Sequence, residues 1–594
     1  MPARQSLADI EFLLTEVLQA PARWQALAPF ADTDGDLAAQ VLDEAAKFVD
    51  SAIAPLQRSG DEEGCRFDAG QVHTPAGFRE AYQAFWQAGW PSLSCDPADG
   101  GQGLPAVLEC VLFEWLAGAN HGWTMAPGLL HGAYECIKHH ASDDLKAQYL
   151  PKIASGEWLA TMCLTEAHAG SDLGLVRTCG VPQADGSVRV NGSKIFISGG
   201  EHDLTDNIVH LVLARLPDAP AGPKGLSLFL VPKVLPAHEG RPDGLGARNA
   251  VVCERIEEKM GLHGSPTCVM RFDDATGWLV GEPNKGLAAM FVMMNAARLH
   301  VGLQGIGLLD AAWQKASAYA TERRQMRAPG AKDTSLIQDH PAIRRILNTQ
   351  RAWIDGGRVL AYHTALQLDA SKHSGDADER AAAQRWCALV TPVLKAVLTD
   401  QAFHGASACL QVFGGHGYVR EWGIEQIVRD ARVAMIYEGT NEIQAIDLLV
   451  RKVLADGGEG LAALLEALPA TPAARARHTA LIDITRQLAR AAQADPELPY
   501  WVADDYLRAV AVVLLEWAWG RIEEAASTAS AAAPGSNTAR WQAPAQAFAS
   551  WVLPEFDLRA AVMRTRIAAA PAPAAGAATA RPGAGLTDKS AATA

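Results

Sequence analysis

The sequence predicts a mostly helical protein with one β domain set into it. Three observations carry this. Apolar residues recur at helical spacing through residues 1–150. Between 158 and 280 the apolar runs are short, β-rich and bounded by Gly, Asn, Asp or Pro. From 285 onward the helical spacing returns and persists.

Each element follows in order. "ADIEFLLTEVLQA" and "LAAQVLDEAAKFVDSAIAPLQ" read as amphipathic helices. "CDPADGGQGLP" (95–105) is a loop by its Gly, Pro and Asp content, and "LECVLFEWLAGAN" resumes a helix with Gly118 and Asn120 as stop signals. "SVRVNGSKIFIS" (187–198), "NIVHLVLARL" (207–216) and "LSLFLVPK" (226–233) read as strands of a mainly antiparallel domain, with "ADGS" (184–187) as a turn. The stretch from 285 to "ERRQM" is apolar on more than one face, as a helix buried in a bundle is. More helices are expected at about 340–370, 377–413 and 440–454, then "ADGGEG" (455–460) as a boundary and further helix over 461–565. The expected division is 1–157 helical, 158–280 β, 281–455 helical bundle, 456–567 helical extension, and an Ala/Pro/Gly-rich disordered tail over 568–594.

Composition narrows the function. The 594-residue chain carries a net charge of −15, which argues against a nucleic-acid binder with its basic footprint. Ten cysteines form no C-x-x-C pair and no zinc-type spacing, so no metal site is expected and the thiols read as reduced and mostly buried. The N-terminus lacks a basic region followed by an uncharged apolar one, so no secretory signal is expected. No uninterrupted apolar run has the length of a membrane span; the best, "AVAVVLLEWAWG" (509–520), holds Glu516. The expectation is a cytoplasmic protein without a membrane segment.

Three stretches carry chemistry. In "MCLTEAHAGSDLGLVRT" (162–178) small and hydroxyl residues follow a strand, an arrangement that can cradle phosphate; an ordinary polar turn has the same residues. "QVFGGHGY" (411–418) has glycines that admit close backbone approach, or that merely cap a helix; no G-x-G-x-x-G within a βαβ unit exists here. In "IYEGTNEIQ" (436–444) Glu438 stands on a turn before Gly439, with Thr440 or Asn441 able to cap the next helix. An isolated Glu in such a turn is ordinarily solvated.

Together the three resemble the acyl-CoA dehydrogenase family. "CLTEAHAGSD" is similar to its first signature, and "QVFGGHGYVREWGIEQIVRDARVAMIYEGTNEIQ" to its second, running into the loop that bears the base. "GEPNKGL" (281–287) and "YATERRQM" (319–326) fit the segments between, and the likeness spans about residues 38–455. The flanking segments resemble the long bacterial branch, which includes 3-methylthiopropanoyl-CoA dehydrogenases. The resemblance implies an N-terminal helical domain, a middle antiparallel β domain, a C-terminal four-helix bundle and an appended helical domain, with FAD between the β domain and the bundle. It implies α,β-dehydrogenation of an acyl-CoA, 3-methylthiopropanoyl-CoA or a short to medium acyl chain, with electrons passed to electron-transferring flavoprotein.

Removing a proton from the α-carbon needs a base within reach and hydrogen-bond donors on the thioester carbonyl. Glu438 matches the family's base, with its own N–H and Gly439 beside the substrate. Some members carry the base on the helix beginning near 285; the matching position is Ala297, and "MFVMMNAARLHVGLQGIGLL" holds no carboxylate. Met162, Leu164 and Thr165 match the strand beside the flavin ring, Ser171 a pyrophosphate contact, and Phe196 and Ser198 a ring packed on the flavin and a neighbouring hydroxyl. By pattern alone Phe196 is one more core residue of its strand. Arg323, Gln411, Gly414 and Gly415 match residues that reach the FAD of a neighbouring subunit, which implies a homodimer or homotetramer. Thr440 and Gln444 match further FAD contacts, and Arg298 an arginine near the CoA. Leu175 departs from the family's small residue. The rivals are an acyl-CoA oxidase using O2, a non-dehydrogenase flavoprotein relative that protects DNA, and an assembly factor that keeps the fold; the −15 charge and Glu438 weigh against the last two.

Overall fold

Buried apolar strands, Ile208–Arg215 and Leu226–Pro232 among them, joined by turn residues, build the β domain. A computed structural model describes residues 2–237, 244–532 and 537–571. Among these, seven strands form one sheet: β1 Leu159–Cys163, β2 Cys179–Pro182, β3 Val188–Ser198, β4 Ile208–Arg215, β5 Leu226–Pro232, β6 Val251–Ile256 and β7 Thr267–Val280. The pairing runs β6-β7-β3-β2-β4-β1, and β5 bridges β7 to β4, so the central strands close on themselves. Val190, Ile197, Val212, Phe229, Val231 and Phe272 fill the space they enclose. The sheet is mainly antiparallel, as expected, with a parallel part: β1 and β2 both lie parallel to β4. A parallel neighbour needs a crossover; the chain between β1 and β4 supplies one, and no local spacing announces it. A small hairpin, Arg66–Asp68 with Gln71–His73, adds strand inside the stretch expected to be helical.

The helices that bear on the site are α1 Ala106–Thr124, α2 Gly286–Glu322, α3 Pro341–His373, α4 Ala377–Val412, α5 Ile424–Arg432 and α6 Asn441–Ile446. The extension adds α7 Pro472–Ala491, α8 Leu498–Ala532 and α9 Glu555–Ala569. The expected tail therefore starts inside α9, and beyond 571 it lies outside the described residues. By length and composition α2 is long and apolar enough to cross a membrane, although polar residues interrupt its apolar runs. It contains Arg298, His300 and Asp310, all buried, as a bundle helix does.

The described chain divides into two compact units. One gathers 48–104 and 119–297, hence the whole sheet; the other gathers the first 47 residues, 105–118 and the chain from 298 onward. Residues 1–157, the stretch expected as the N-terminal helical domain, contribute to both units. Periodicity shows that a helix has an apolar face but not which helix covers it. Within the second unit Trp115 donates to Ser6 Oγ at 2.9 Å, and the buried Arg358 joins Glu114 and Asp310, each at 2.7 Å. Arg540 of the extension reaches Asp355 at 2.6 Å, and Trp519 donates to the Ala352 carbonyl at 3.1 Å.

Gly118 does not end its helix. It lies inside α1, which breaks its helical backbone at Asn120 instead. Gly118 and Gly307 let α1 and α2 cross at backbone contact: a Cβ on Gly307 would stand 2.1 Å from the Glu114 carbonyl oxygen. Gly307→Ala should therefore cost about 1–3 kcal/mol by overpacking, read as a lower thermal midpoint.

Candidate active site

Tyr437, Glu438 and Gly439 reverse the chain ahead of α6. Glu438 has φ 56° and Gly439 φ 82°, two consecutive left-handed residues. Glycine adopts this freely, whereas a side-chain residue there stores roughly 1–3 kcal/mol and needs its surroundings to hold it. Those surroundings are visible. Gln444 Nε2 donates to the Glu438 carbonyl at 3.0 Å and to the Gly439 carbonyl at 3.4 Å. Lys395 Nζ donates to the Gly439 carbonyl at 2.8 Å and to Asn441 Oδ1 at 3.0 Å. Asn441 Nδ2 donates to the Ala396 carbonyl at 3.0 Å, and the Tyr437 hydroxyl to Gln304 Oε1 at 2.8 Å. A side-chain residue in place of Gly439 would be strained by φ 82°, and its Cβ would displace Gln444 Nε2, 2.7 Å away.

Of the two capping candidates, Thr440 is the one used: its hydroxyl oxygen accepts from the Ile443 N–H at 3.4 Å. Gln444 clamps the turn through its nitrogen, while its buried Oε1 has no partner among the described residues. The Glu438 carboxyl is half-buried. Burial pushes it up to about 7, against the opposing pull of Arg298 and Lys395. Arg298, on α2, is 7% exposed. Burial lowers its guanidinium from the usual range, while Asp447 and Glu438 favour its charge. The structure thus makes Arg298 an electrostatic neighbour of Glu438, not a surface residue.

In the other unit, β1 leads into Leu164 and Thr165, and Met162, Leu164 and Thr165 are all half-buried. The Leu164 carbonyl accepts from Lys194 Nζ at 2.9 Å, and the Thr165 carbonyl from the Ile195 N–H at 2.9 Å. Glu166 fixes the loop that follows. It accepts from Lys194 Nζ at 2.9 Å, from the Thr178 hydroxyl at 2.6 Å and from the N–H groups of Arg177 and Thr178 at 2.8 and 3.0 Å. Burial alone would raise this carboxyl, but Lys194 and these donors hold it down at about 2. Ser171 is exposed on the loop. Leu175 is 53% exposed, so its bulk crowds nothing.

Phe196 does not join the core. Lys194 pairs with Met270 and Ile197 with Cys268, so Ile195 and Phe196 together oppose Val269. A bulge of this kind re-aims side chains. Phe196 takes φ 61°, its ring is 60% exposed, and Ile197 fills the inward place instead. Ser198 follows, half-buried. Strict alternation from Val188 and Val190 sends residue 196 inward, so local pattern could not find this.

Arg323, Gln411, Gly414 and Gly415 are all exposed, and one aromatic cluster gathers their segments. Tyr319 stacks on Phe413 at 4.3 Å, its hydroxyl meets His416 Nδ1 at 2.9 Å, and His416 stacks on Trp422 at 5.0 Å. Gly414 has φ 59°, and a Cβ on Gly414, Gly415 or Gly170 would meet nothing within 4 Å. In the sheet-bearing unit the Thr165, Ser171 and Ser198 hydroxyls, the open Gly170 and the outward Phe196 ring, and in the other unit the open Gly414 and Gly415 and the unpartnered acceptor Gln444 Oε1, are each groups that suit a flavin dinucleotide.

Glu166, Lys194, Lys395 and Gln304 were not singled out from sequence. A signal existed for two of them: Lys194 occupies an inward position of an alternating strand, and Lys395 interrupts the apolar run "VTPVLKAVL".

Comparisons with known proteins place the chain in a family. Family models described as the N-terminal, middle and C-terminal domains of acyl-CoA dehydrogenase match residues 36–157, 161–275 and 284–453. The chain is 44% identical over 473 residues to the 3-methylmercaptopropionyl-CoA dehydrogenase of Ruegeria pomeroyi, covering 79% of this chain and 80% of that one. It is 38% identical over 483 residues to a broad-specificity linear acyl-CoA dehydrogenase of Mycobacterium tuberculosis, covering 77% and 76%. A solved acyl-CoA dehydrogenase of Bacillus anthracis, complexed with FAD, shares the fold at 20% identity with a TM-score of 0.72, covering 89% of this chain and 88% of that one.

Proposed function

Because the chain belongs to the acyl-CoA dehydrogenase family, we propose that Glu438 is its catalytic base and that 3-methylmercaptopropionyl-CoA is its substrate. The activity is FAD-dependent α,β-dehydrogenation of an acyl-CoA. The observation that carries the role of Glu438 is its placement: a half-buried carboxyl, pushed up to about 7, on a left-handed turn clamped by Gln444 and Lys395. The substrate rests on the 44% identity to the Ruegeria pomeroyi enzyme.

Bound FAD supplies the acceptor for the β-hydride. The chain does the rest. Glu438 Oε takes the α-proton, and a carboxyl lifted by desolvation is a stronger base than an exposed one. The Glu438 N–H donates to the thioester carbonyl as negative charge builds there. Gly439 keeps that turn free of a side chain. Met162, Leu164, Thr165, Ser171, Phe196 and Ser198 hold one part of the cofactor. Arg323, Gln411, Gly414 and Gly415 serve the FAD of a second copy of this chain; their exposure together with Tyr418 and Met326 supports a homo-oligomer. Electron-transferring flavoprotein is the acceptor we expect, on the ground of family membership.

The test is a panel of acyl-CoAs added to the flavoprotein without oxygen. Bleaching should be fastest with 3-methylmercaptopropionyl-CoA. Faster bleaching by unsubstituted linear chains would reassign the substrate, and steady peroxide formation in air would favour an oxidase. The base must be ionised to act, so the bleaching rate should rise with pH through the Glu438 titration near 7 and level off above it. A rate flat from pH 5.5 to 8.5, at saturating substrate, would remove Glu438 from this role.

A further inference from the structure

The base is not held by its own turn alone. Lys395 projects from the apolar face of α4, between Val393, Leu394, Val397 and Leu398, and is fully buried. An ammonium in that place costs several kcal/mol unless charge and hydrogen bonds offset it. Among the described residues its hydrogen bonds go to two neutral oxygens, the Gly439 carbonyl at 2.8 Å and Asn441 Oδ1 at 3.0 Å. The first of these belongs to the residue after the base. Asn441 is itself fixed by donation to the Ala396 carbonyl at 3.0 Å and by accepting from the Thr399 hydroxyl at 3.2 Å. A stabilising residue at this position would be better served by leucine or methionine, which carry no desolvation cost.

The charges around the base come from several elements. Arg298 faces it from α2 and Lys395 from α4, Tyr437 and Glu442 flank it on its own segment, and Asp447 faces Arg298. The negative charge that most favours the Lys395 ammonium is Glu438. Base and lysine therefore compensate one another across the turn that the lysine ties down.

Resting on the reading of Glu438 as base, we propose that Lys395 is its positioning residue: the ammonium anchors the Glu438–Gly439 turn to α4 and supplies positive charge that keeps the base ionised. Burial pulls Lys395 down to about 7 and pushes Glu438 up to about 7, so both charges are at stake in the same pH range. The lysine touches no reacting atom.

Three variants separate the two parts of the role. Lys395→Gln keeps a donor for the Gly439 carbonyl and removes the charge, Lys395→Met removes both, and Lys395→Arg keeps the charge. Two readouts follow each: the pH dependence of flavin bleaching by acyl-CoA, and isotope-edited infrared titration of the carboxyl band that Glu438→Gln abolishes. In Lys395→Gln both the acid limb and the infrared titration should move up by about one pH unit, the low end of the effect of a nearby opposite charge. The rate at pH 6 then falls about tenfold, with the alkaline plateau nearly kept. In Lys395→Met the plateau should fall by a further ~10-fold or more, because the turn loosens. Lys395→Arg should keep the wild-type limb.

A folded, FAD-containing Lys395→Gln with both titrations at their wild-type pH would overturn the proposal. So would failure of both neutral variants to bind FAD while Lys395→Arg remains sound, which would mark the charge as purely structural. If wild type is bleached by no acyl-CoA, the functional reading falls by itself; the infrared titration still decides whether Lys395 governs Glu438.

Discussion

Glu438→Gln should bind FAD and acyl-CoA and bleach its flavin about 10²–10⁴-fold more slowly than wild type, the range of what one positioned base contributes. The amide has the shape of the carboxyl, so the left-handed turn and its bonds from Gln444 and Lys395 to backbone carbonyls need not change. What changes is the capacity to accept a proton. No neighbour can stand in: Ala297 occupies the other position where a base could be carried, and Glu442, on α6, is held low by a hydrogen bond from the Thr440 hydroxyl. Stopped-flow bleaching without oxygen, alongside spectral titration of acyl-CoA binding, measures rate and affinity separately. A loss below tenfold with affinity unchanged would sink the assignment of the base.

Lys194→Met should cost about 3–5 kcal/mol of stability, the usual effect of breaking a buried pair from one side. Glu166 would be left with its charge buried and its strongest partner gone, and the Leu164 carbonyl would lose its donor. The segment that carries Leu164, Thr165 and Ser171 hangs on these bonds, so FAD should be lost on gel filtration under conditions where wild type keeps it. The double variant Lys194→Met with Glu166→Gln removes the stranded charge and should recover part of the stability. Thermal denaturation and the ratio of flavin to protein absorbance read both effects. A single variant as stable as wild type and as rich in flavin would show that the pair does not organise this loop.

The helices at 341–373 and 377–412 fall close to where the apolar period and the turn residues put them, because those signals are local. The strand Val188–Ser198 was legible for the same reason. The parallel seating of β1 on β4 was not, since a crossover leaves no mark in the spacing of either strand. Gly118 and Gly307 show the limit from another side. A glycine reads as a stop or a weak point until the neighbour that needs its missing Cβ is known.

By itself the sequence determined the kind of chemistry: one carboxylate on a Gly-following turn, no second carboxylate on the long helix, and two signature loops that suit FAD. Those are statements about which groups exist and in what order, and order is what a sequence records. Only the tertiary structure decided how the groups are held. It turned Phe196 out through a bulge set by pairing with β7, twisted Glu438 into a left-handed backbone, and brought Arg298 and Lys395 to Glu438 from helices about 140 and 40 residues away in the chain. The reason is physical. Burial and the field of neighbouring charges depend on distances through space, and these push the Glu438 carboxyl up to about 7.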